Sequence, residues 1–204
     1  MKKVIYVHGK GGNAEEAKHY ITLFPEADVS GFDYRAETPW EARTEFSEYF
    51  ATLRAENGKV TLIANSIGAY FAMMSLDGSS VDEAFLVSPV VDMEKLITDM
   101  MGWAGVTKEE LEEKKEIKTS FGETLFWDYY CYAKENPVIW RVKTHILYGE
   151  RDGLTSFDTV KRFADGCGSD LTVMNGGEHW FHTDEQMAFL DEWIKEAKNK
   201  KDRR

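Results

Sequence analysis

The stretch Val60-Thr61-Leu62-Ile63-Ala64-Asn65-Ser66-Ile67-Gly68-Ala69-Tyr70 decides how the rest of the chain is read. Its apolar, β-branched first half reads as a buried strand, and the small and apolar residues after Ser66 open a helix. Between them Ser66 occupies a sharp turn, the nucleophile-elbow arrangement. That turn projects a hydroxyl from the sheet edge and points the next backbone N–H at any negative charge developing beside it. Such a turn needs small neighbours. Ala64 and Gly68 flank Ser66 at two residues' distance, giving A-x-S-x-G in place of the stricter G-x-S-x-G. The motif is common in isolation, and its weight comes from lying where a strand hands over to a helix.

The 204 residues suit one domain with a substantial core, and 43% hydrophobic with 13% aromatic residues fits a globular chain. A net charge of -11 argues against a nucleic-acid surface, which needs a basic stripe. The cluster Lys198, Lys200, Lys201, Arg203 and Arg204 reads as the cationic end of a helix, matched to its dipole, followed by a frayed tail. Cys131 and Cys167 make no disulfide framework, and the apolar run 4–7 is too short for a signal segment. No run approaches the ~20 apolar residues of a membrane span. Cytoplasmic residence without a membrane span is the expectation, and oligomeric state is open.

Upstream of the elbow, Val4-Ile5-Tyr6-Val7 reads as a parallel strand buried on both faces. It ends in His8-Gly9-Lys10-Gly11-Gly12-Asn13, where glycines either turn backbone N–H groups toward the crevice or only make a tight turn into a helix over 14–24. No phosphate-loop spacing is present. A second strand is expected over 27–33. Thr38-Pro39-Trp40-Glu41 then starts a helix, with Thr38 as N-cap, proline at the first position and Glu41 completing a capping box. Ala42, Phe46, Tyr49, Phe50 and Leu53 form its buried stripe, and Gly58 ends it.

Downstream, a strand over 84–87 stops at Ser88-Pro89. The alternation to this point predicts parallel crossovers in a doubly wound sheet. From 92 to 141 the rhythm breaks, and no strand is expected. Helices are predicted over 93–101, after the Thr107 and Glu110 capping pair, and through Phe126, Trp127, Tyr129, Tyr130 and Tyr132. The expected organisation is a core formed by 1–91 and 142–204 with a helical lid inserted at 92–141. Met100, Met101, Trp103, Phe126 and Trp127 either line an apolar pocket or pack the insertion onto the body. The alternation resumes with a strand over 145–148, a turn over 149–153, a helix over 157–164, a strand over 171–174 and a helix over 184–197.

Ser66, Asp152 and His179 each fall just beyond the carboxyl end of a different expected strand. Open parallel sheets place ligands along that edge. A serine hydroxyl is a poor nucleophile until an imidazole takes its proton, and the imidazole needs a carboxylate to fix its tautomer. Rivals exist. His182 competes with His179, although Thr183 and Gln186 make a capping box that sets His182 against a helix start; Asp92 competes with Asp152. Glu178, His179 and His182 lack regular spacing to a further ligand, so neither a metal nor another cofactor is expected. His145 reads as structural, His19 as a helix surface residue, and Glu150 and Asp158 as solvated charges.

On these residues the sequence resembles the small lidded α/β-hydrolases of the broad esterase, lipase and serine-peptidase-like group. The resemblance rests on His8-Gly9, the Ala64 to Gly68 elbow, Ser88-Pro89, Gly149-Glu150-Arg151-Asp152 and Gly177-Glu178-His179, in the chain order Ser, Asp, His. It implies an α/β class protein with the α/β-hydrolase fold: a doubly wound, mostly parallel sheet of about six strands, trimmed at its start, with a helical lid insertion. It further implies Ser66 as nucleophile, Asp152 as acid and His179 as base, with backbone oxyanion donors at Ile67 and at Lys10 or Gly11. Asn65 stands where many relatives carry histidine. The expected activity is that of a cofactor-free serine hydrolase acting on a small-molecule ester, thioester or amide with an apolar part. Two other readings stay open: a non-catalytic ligand-binding protein on the same fold, and a C–C hydrolase or lyase.

Overall fold

A computed structural model describes residues 2–201, with the side chains of Asn57, Lys200 and Lys201 excepted. Of the basic cluster at the end of the chain, Arg203 and Arg204 lie outside the described residues, and the last helix runs through Lys198. The described residues form two compact units, one made of the chain up to Val91 together with the chain from Ile139, the other of Asp92–Val138.

The first unit is built on six strands: β1 (Lys2–Val7), β2 (Ala27–Gly31), β3 (Val60–Asn65), β4 (Glu83–Val87), β7 (Lys143–Gly149) and β8 (Asp170–Met174). Every pairing among them is parallel, in the order β2-β1-β3-β4-β7-β8. β1 therefore has its sequence successor on one side and β3 on the other, so the strand order reverses there and a crevice opens at its carboxyl end. The register pairs Val7 with Ala64, Asn65 with Val87, Val87 with Leu147 and Gly149 with Met174, which lines up the strand ends that carry the polar residues.

Alternation along the strands sends side chains to two faces. Tyr6, Ile63, Phe85, Val87 and Leu147 join a core with Ala17, Tyr20 and Leu23, and with Leu190, Trp193 and Ile194 of the last helix, α7 (Asp184–Lys201). The other face is covered by α1 (Pro39–Asn57), α2 (Ser66–Ser75) and α6 (Phe157–Cys167). Phe32, Phe46, Phe50 and Phe71 interlock there at edge-to-face distances of 4.9–6.4 Å. α1 begins as its sequence predicts, with Thr38 and Glu41 making both halves of the capping box.

One expectation is refined and one needs correcting. The helix expected after the glycine loop is present over Ala14–Leu23, and it is of the 3₁₀ type. Its buried residues Ala17, Tyr20 and Leu23 recur every third position, and only at three residues per turn do they fall on one edge. The second unit is not strandless. After α3 (Met93–Ala104) and α4 (Lys108–Lys114) come two short antiparallel strands, β5 (Glu116–Lys118) and β6 (Thr124–Phe126), then α5 (Trp127–Glu135). Lys115, at φ 64, breaks α4, and Gly122, at φ 90, turns the hairpin. Each strand has three residues, too few for a period of two to register. Phe126 consequently belongs to a strand and not to the helix after it.

Candidate active site

The elbow is a local consequence of β3 ending where α2 begins. Ser66 has φ 49, a left-handed conformation that costs a non-glycine residue about 1–3 kcal/mol and persists only where the surroundings over-determine it. The surroundings here are tight. A Cβ on Gly68 would lie 2.2 Å from the carbonyl oxygen of His8, and one on Gly9 would lie 3.2 Å from Ser66 Cβ. Helix α2 thus starts against the end of β1, and its first turn faces the loop 9–13.

Asn65 is the N-cap residue of α2, and asparagine is among the best types for capping. Its side chain makes no cap bond and donates instead to the Tyr6 hydroxyl at 3.0 Å. The backbone N–H groups of the first turn, beginning with Ile67, keep the free donors and positive dipole end that attract an anion. Across from them Gly12 N–H donates to Gly9 C=O at 3.2 Å, closing a turn in which Gly11 has φ 77. A positive φ at that third position is what a type II turn requires, so glycine is needed there.

His179 follows β8 and Asp152 follows β7, and the two loops are stitched together by backbone. Arg151 N–H donates to Gly177 C=O at 2.7 Å, Glu150 N–H to Met174 C=O at 3.0 Å, and Gly176 N–H to the Glu150 carboxylate at 2.8 Å. Glu150 is exposed, as expected of a solvated charge, and its carboxylate also ties the two loops. The contact depends on Gly149, where a Cβ would fall 2.4 Å from Glu178 C=O.

These elements bring Ser66, His179 and Asp152 together in one unit. Ser66 Oγ is 2.8 Å from His179 Nε2, and His179 Nδ1 is 2.7 Å from Asp152 Oδ2. The Asp152 side chain is fully buried, that of His179 22% exposed. Burial by itself would raise the Asp152 pKa. The hydrogen bond and charge of His179, with the N–H groups of Thr155 and Leu154, outweigh it and hold the carboxyl below its ordinary value. Thr155 adds an O–H bond to Oδ2 at 2.9 Å. An ionised Asp152 accepts from Nδ1–H, which leaves Nε2 free to accept the Ser66 proton.

The rivals are occupied elsewhere. His182 stacks on Trp180 with ring centroids 4.2 Å apart, and its backbone N–H donates to Gln186 at 3.0 Å. The Asp92 carboxylate caps α3, accepting from Lys95 N–H at 2.9 Å. His145 is buried between Glu83 and Asp170, at the opposite end of the strands from Ser66. His19 is more than a surface residue, for it holds Asp191 of α7 at 2.7 Å.

Met100, Met101, Trp103, Phe126 and Trp127 all lie in the second unit. Met101 is buried; Trp103 and Phe126 are exposed, and Trp103 meets Phe121 edge to face at 6.2 Å. Trp127 stacks on Tyr130 at 5.5 Å beneath Lys108 and Lys115. The sequence reading gave no part in the site to Tyr6, Glu16 or Thr155, and did not foresee the close backbone approach at Gly149. Only two left a local signal: Thr155 as a hydroxyl three residues after an aspartate, and Glu16 as the last residue of Asn13-Ala14-Glu15-Glu16, a capping-box pattern.

No sequence-family model matches the chain, and no curated protein sequence matches it. Solved structures do. Est1E from Butyrivibrio proteoclasticus is 14% identical with a TM-score of 0.76, over 100% of this chain and 88% of that one. Alpha/beta hydrolase domain-containing protein 10 from mouse is 15% identical with a TM-score of 0.73, over 97% and 90%. An esterase from Pyrococcus furiosus is 17% identical with a TM-score of 0.57, over 97% and 80%. At such identities the likeness is one of fold, and it extends over nearly the whole chain: this is an α/β-hydrolase-fold protein. Among the described residues no helix is long and apolar enough to cross a membrane.

Proposed function

We propose that the protein is a serine hydrolase that cleaves a small-molecule ester, thioester or amide through an acyl-enzyme at Ser66. The observation that carries this reading is the continuous line of hydrogen bonds from Ser66 Oγ through His179 to Asp152, at 2.8 and 2.7 Å. The names of the structural neighbours, an esterase among them, agree with it.

In the proposed cycle Ser66 Oγ forms a bond to the carbonyl carbon while its proton passes to His179 Nε2. The carbonyl π electrons move to oxygen, and the oxyanion is met by the Ile67 N–H and by that of Lys10 or Gly11. Collapse breaks the bond to the leaving group, which takes the proton from Nε2. Water then repeats the sequence on the acyl-enzyme, with His179 as base again, and frees the acid and Ser66. Asp152 keeps its charge throughout, orienting the ring and steadying the imidazolium.

The direct test is labelling with a fluorophosphonate, read by peptide mass spectrometry beside Ser66→Ala. Label confined to the Ser66 peptide is the expected result. A folded wild-type protein that takes no label, or a Ser66→Ala protein that takes as much, would refute the proposal.

A further inference from the structure

Between the two walls of the proposed oxyanion site runs a second line of hydrogen bonds that does not touch the reacting atoms. From the elbow, Asn65 Nδ2 donates to the Tyr6 hydroxyl at 3.0 Å. Tyr6, on β1 and 1% exposed, donates in turn to Glu16 Oε2. The other oxygen, Glu16 Oε1, accepts the N–H of Asn13 at 3.2 Å, where the glycine loop ends. The same carboxylate presses on the loop itself, for a Cβ on Gly12 would meet its oxygens at 2.9 and 3.1 Å. One side chain thus grips the loop 9–13 from beneath while being tied, through a buried phenol, to the residue before Ser66.

An ordinary capping box needs only the bond from Glu16 back to Asn13. The second bond, to a phenol in the core, is surplus to that purpose. It is also charge-assisted, and so stiffer and stronger than a neutral pair. Burial first, then Tyr20 and Glu16, push the Tyr6 phenol far above its usual range, so it stays a neutral donor at any working pH. The far side of the loop has its own tether, the Tyr34 hydroxyl donating to His8 C=O at 2.9 Å.

We propose that Glu16 and Tyr6 are positioning residues for catalysis: they lock the loop 9–13, with its Lys10 and Gly11 N–H groups, at a fixed distance from the α2 N-terminus. This rests on the serine-hydrolase reading above. Asn65 has a double part in the device. Turning away to Tyr6, it leaves the α2 N–H groups uncapped for the substrate and anchors the clamp at the elbow. The oxyanion is fully formed only in the tetrahedral state, so loosening the clamp should weaken binding of that state and leave ground-state binding alone.

The test is Tyr6→Phe, which keeps the buried ring and removes the link. Losing one oxyanion donor costs 10²–10³ in rate, so a donor displaced but not lost should cost roughly 10- to 100-fold in kcat. KM for p-nitrophenyl acetate should stay within about twofold. Affinity for an aryl trifluoromethyl ketone, whose serine adduct bears an oxyanion, should fall in step with kcat. Glu16→Gln retains a single acceptor oxygen, too few for both donors, and should fall between Tyr6→Phe and wild type; because Glu16 lies at the surface, this variant decides the matter if Tyr6→Phe does not fold. Folded variants with kcat and ketone affinity within twofold of wild type would overturn the clamp, as would a loss confined to KM. If fluorophosphonate fails to label wild-type Ser66, it is the serine-hydrolase reading that has failed.

Discussion

Gly149 offers the sharpest test of how the proposed triad is held. A Cβ at this position would lie 2.4 Å from the carbonyl oxygen of Glu178 and 2.6 Å from the carbonyl carbon and oxygen of Gly177. All three obstacles are backbone, so no side chain can rotate away. Reaching even a 3.0 Å contact requires the loop after β8 to retreat by about 0.6 Å, and that loop carries His179 directly after Glu178. The His179 to Asp152 distance, now 2.7 Å, would open beyond the range of a strong charge-assisted bond. Removing the acid's function outright costs about 10⁴ in kcat, and a misplacement of order 1 Å costs about 10², so Gly149→Ala should lose roughly 10²-fold. Overpacking should also destabilise the protein by about 1–3 kcal/mol. The assay is steady-state hydrolysis of p-nitrophenyl acetate beside calorimetric unfolding. Gly153→Ala, four residues on with nothing within 4 Å of its added Cβ, is the comparison and should change neither value much. Wild-type kcat in Gly149→Ala would refute the idea that this close approach sets the geometry.

The two neighbouring histidines should separate cleanly. His179→Ala should lose on the order of 10⁴ or more in kcat, whereas His182→Ala, whose ring rests on Trp180, should lose less than about tenfold; equal losses would mean that the base is misassigned. A pH prediction follows from Asp152, whose pKa in the fold is depressed by His179 and the loop N–H groups against the pull of burial. Such a group adds stability above the unfolded carboxyl value of about 3.9, and that contribution is lost as pH falls through the lower folded value. Thr155→Val removes one donor to Oδ2 and should move the acid edge of the stability profile, measured by Tm against pH, toward higher pH. An unmoved edge would count against this reading of the carboxylate.

The parts of the fold that could be read from sequence are those written in local periods and caps. β1 and β3 announce themselves as β-branched runs, α1 by Thr38, Pro39 and Glu41, and the alternation between them implies parallel crossovers. Ser66, Asp152 and His179 could be picked out because a parallel sheet puts loop residues after different strands along one edge, whatever the loops contain. The hairpin β5 and β6 could not, being three residues per strand, and neither could the 3₁₀ winding of 14–23, which hangs on a spacing of three that α-helical faces also contain.

What stays invisible is the approach of segments far apart in the chain. Gly149 looks like any glycine at a strand end until the carbonyls of Gly177 and Glu178 are found against it. Glu16 carries a legible capping pattern, but nothing near it in sequence announces a phenol from β1 as its second partner. Asn65 is the most instructive residue, because local logic points the wrong way. An asparagine before a helix should cap it, and capping Ile67 and its neighbours would take up the donors that a developing oxyanion needs. A site at a helix N-terminus gains from a residue that can occupy the N-cap position and bond elsewhere. Tyr6 makes that possible, and a sequence rule built on isolated helices has no means of including it. A residue that breaks a strong local preference at a strand-to-helix turn is therefore worth tracing to its distant partner, since here that partner leads to the loop on the far wall of the proposed site.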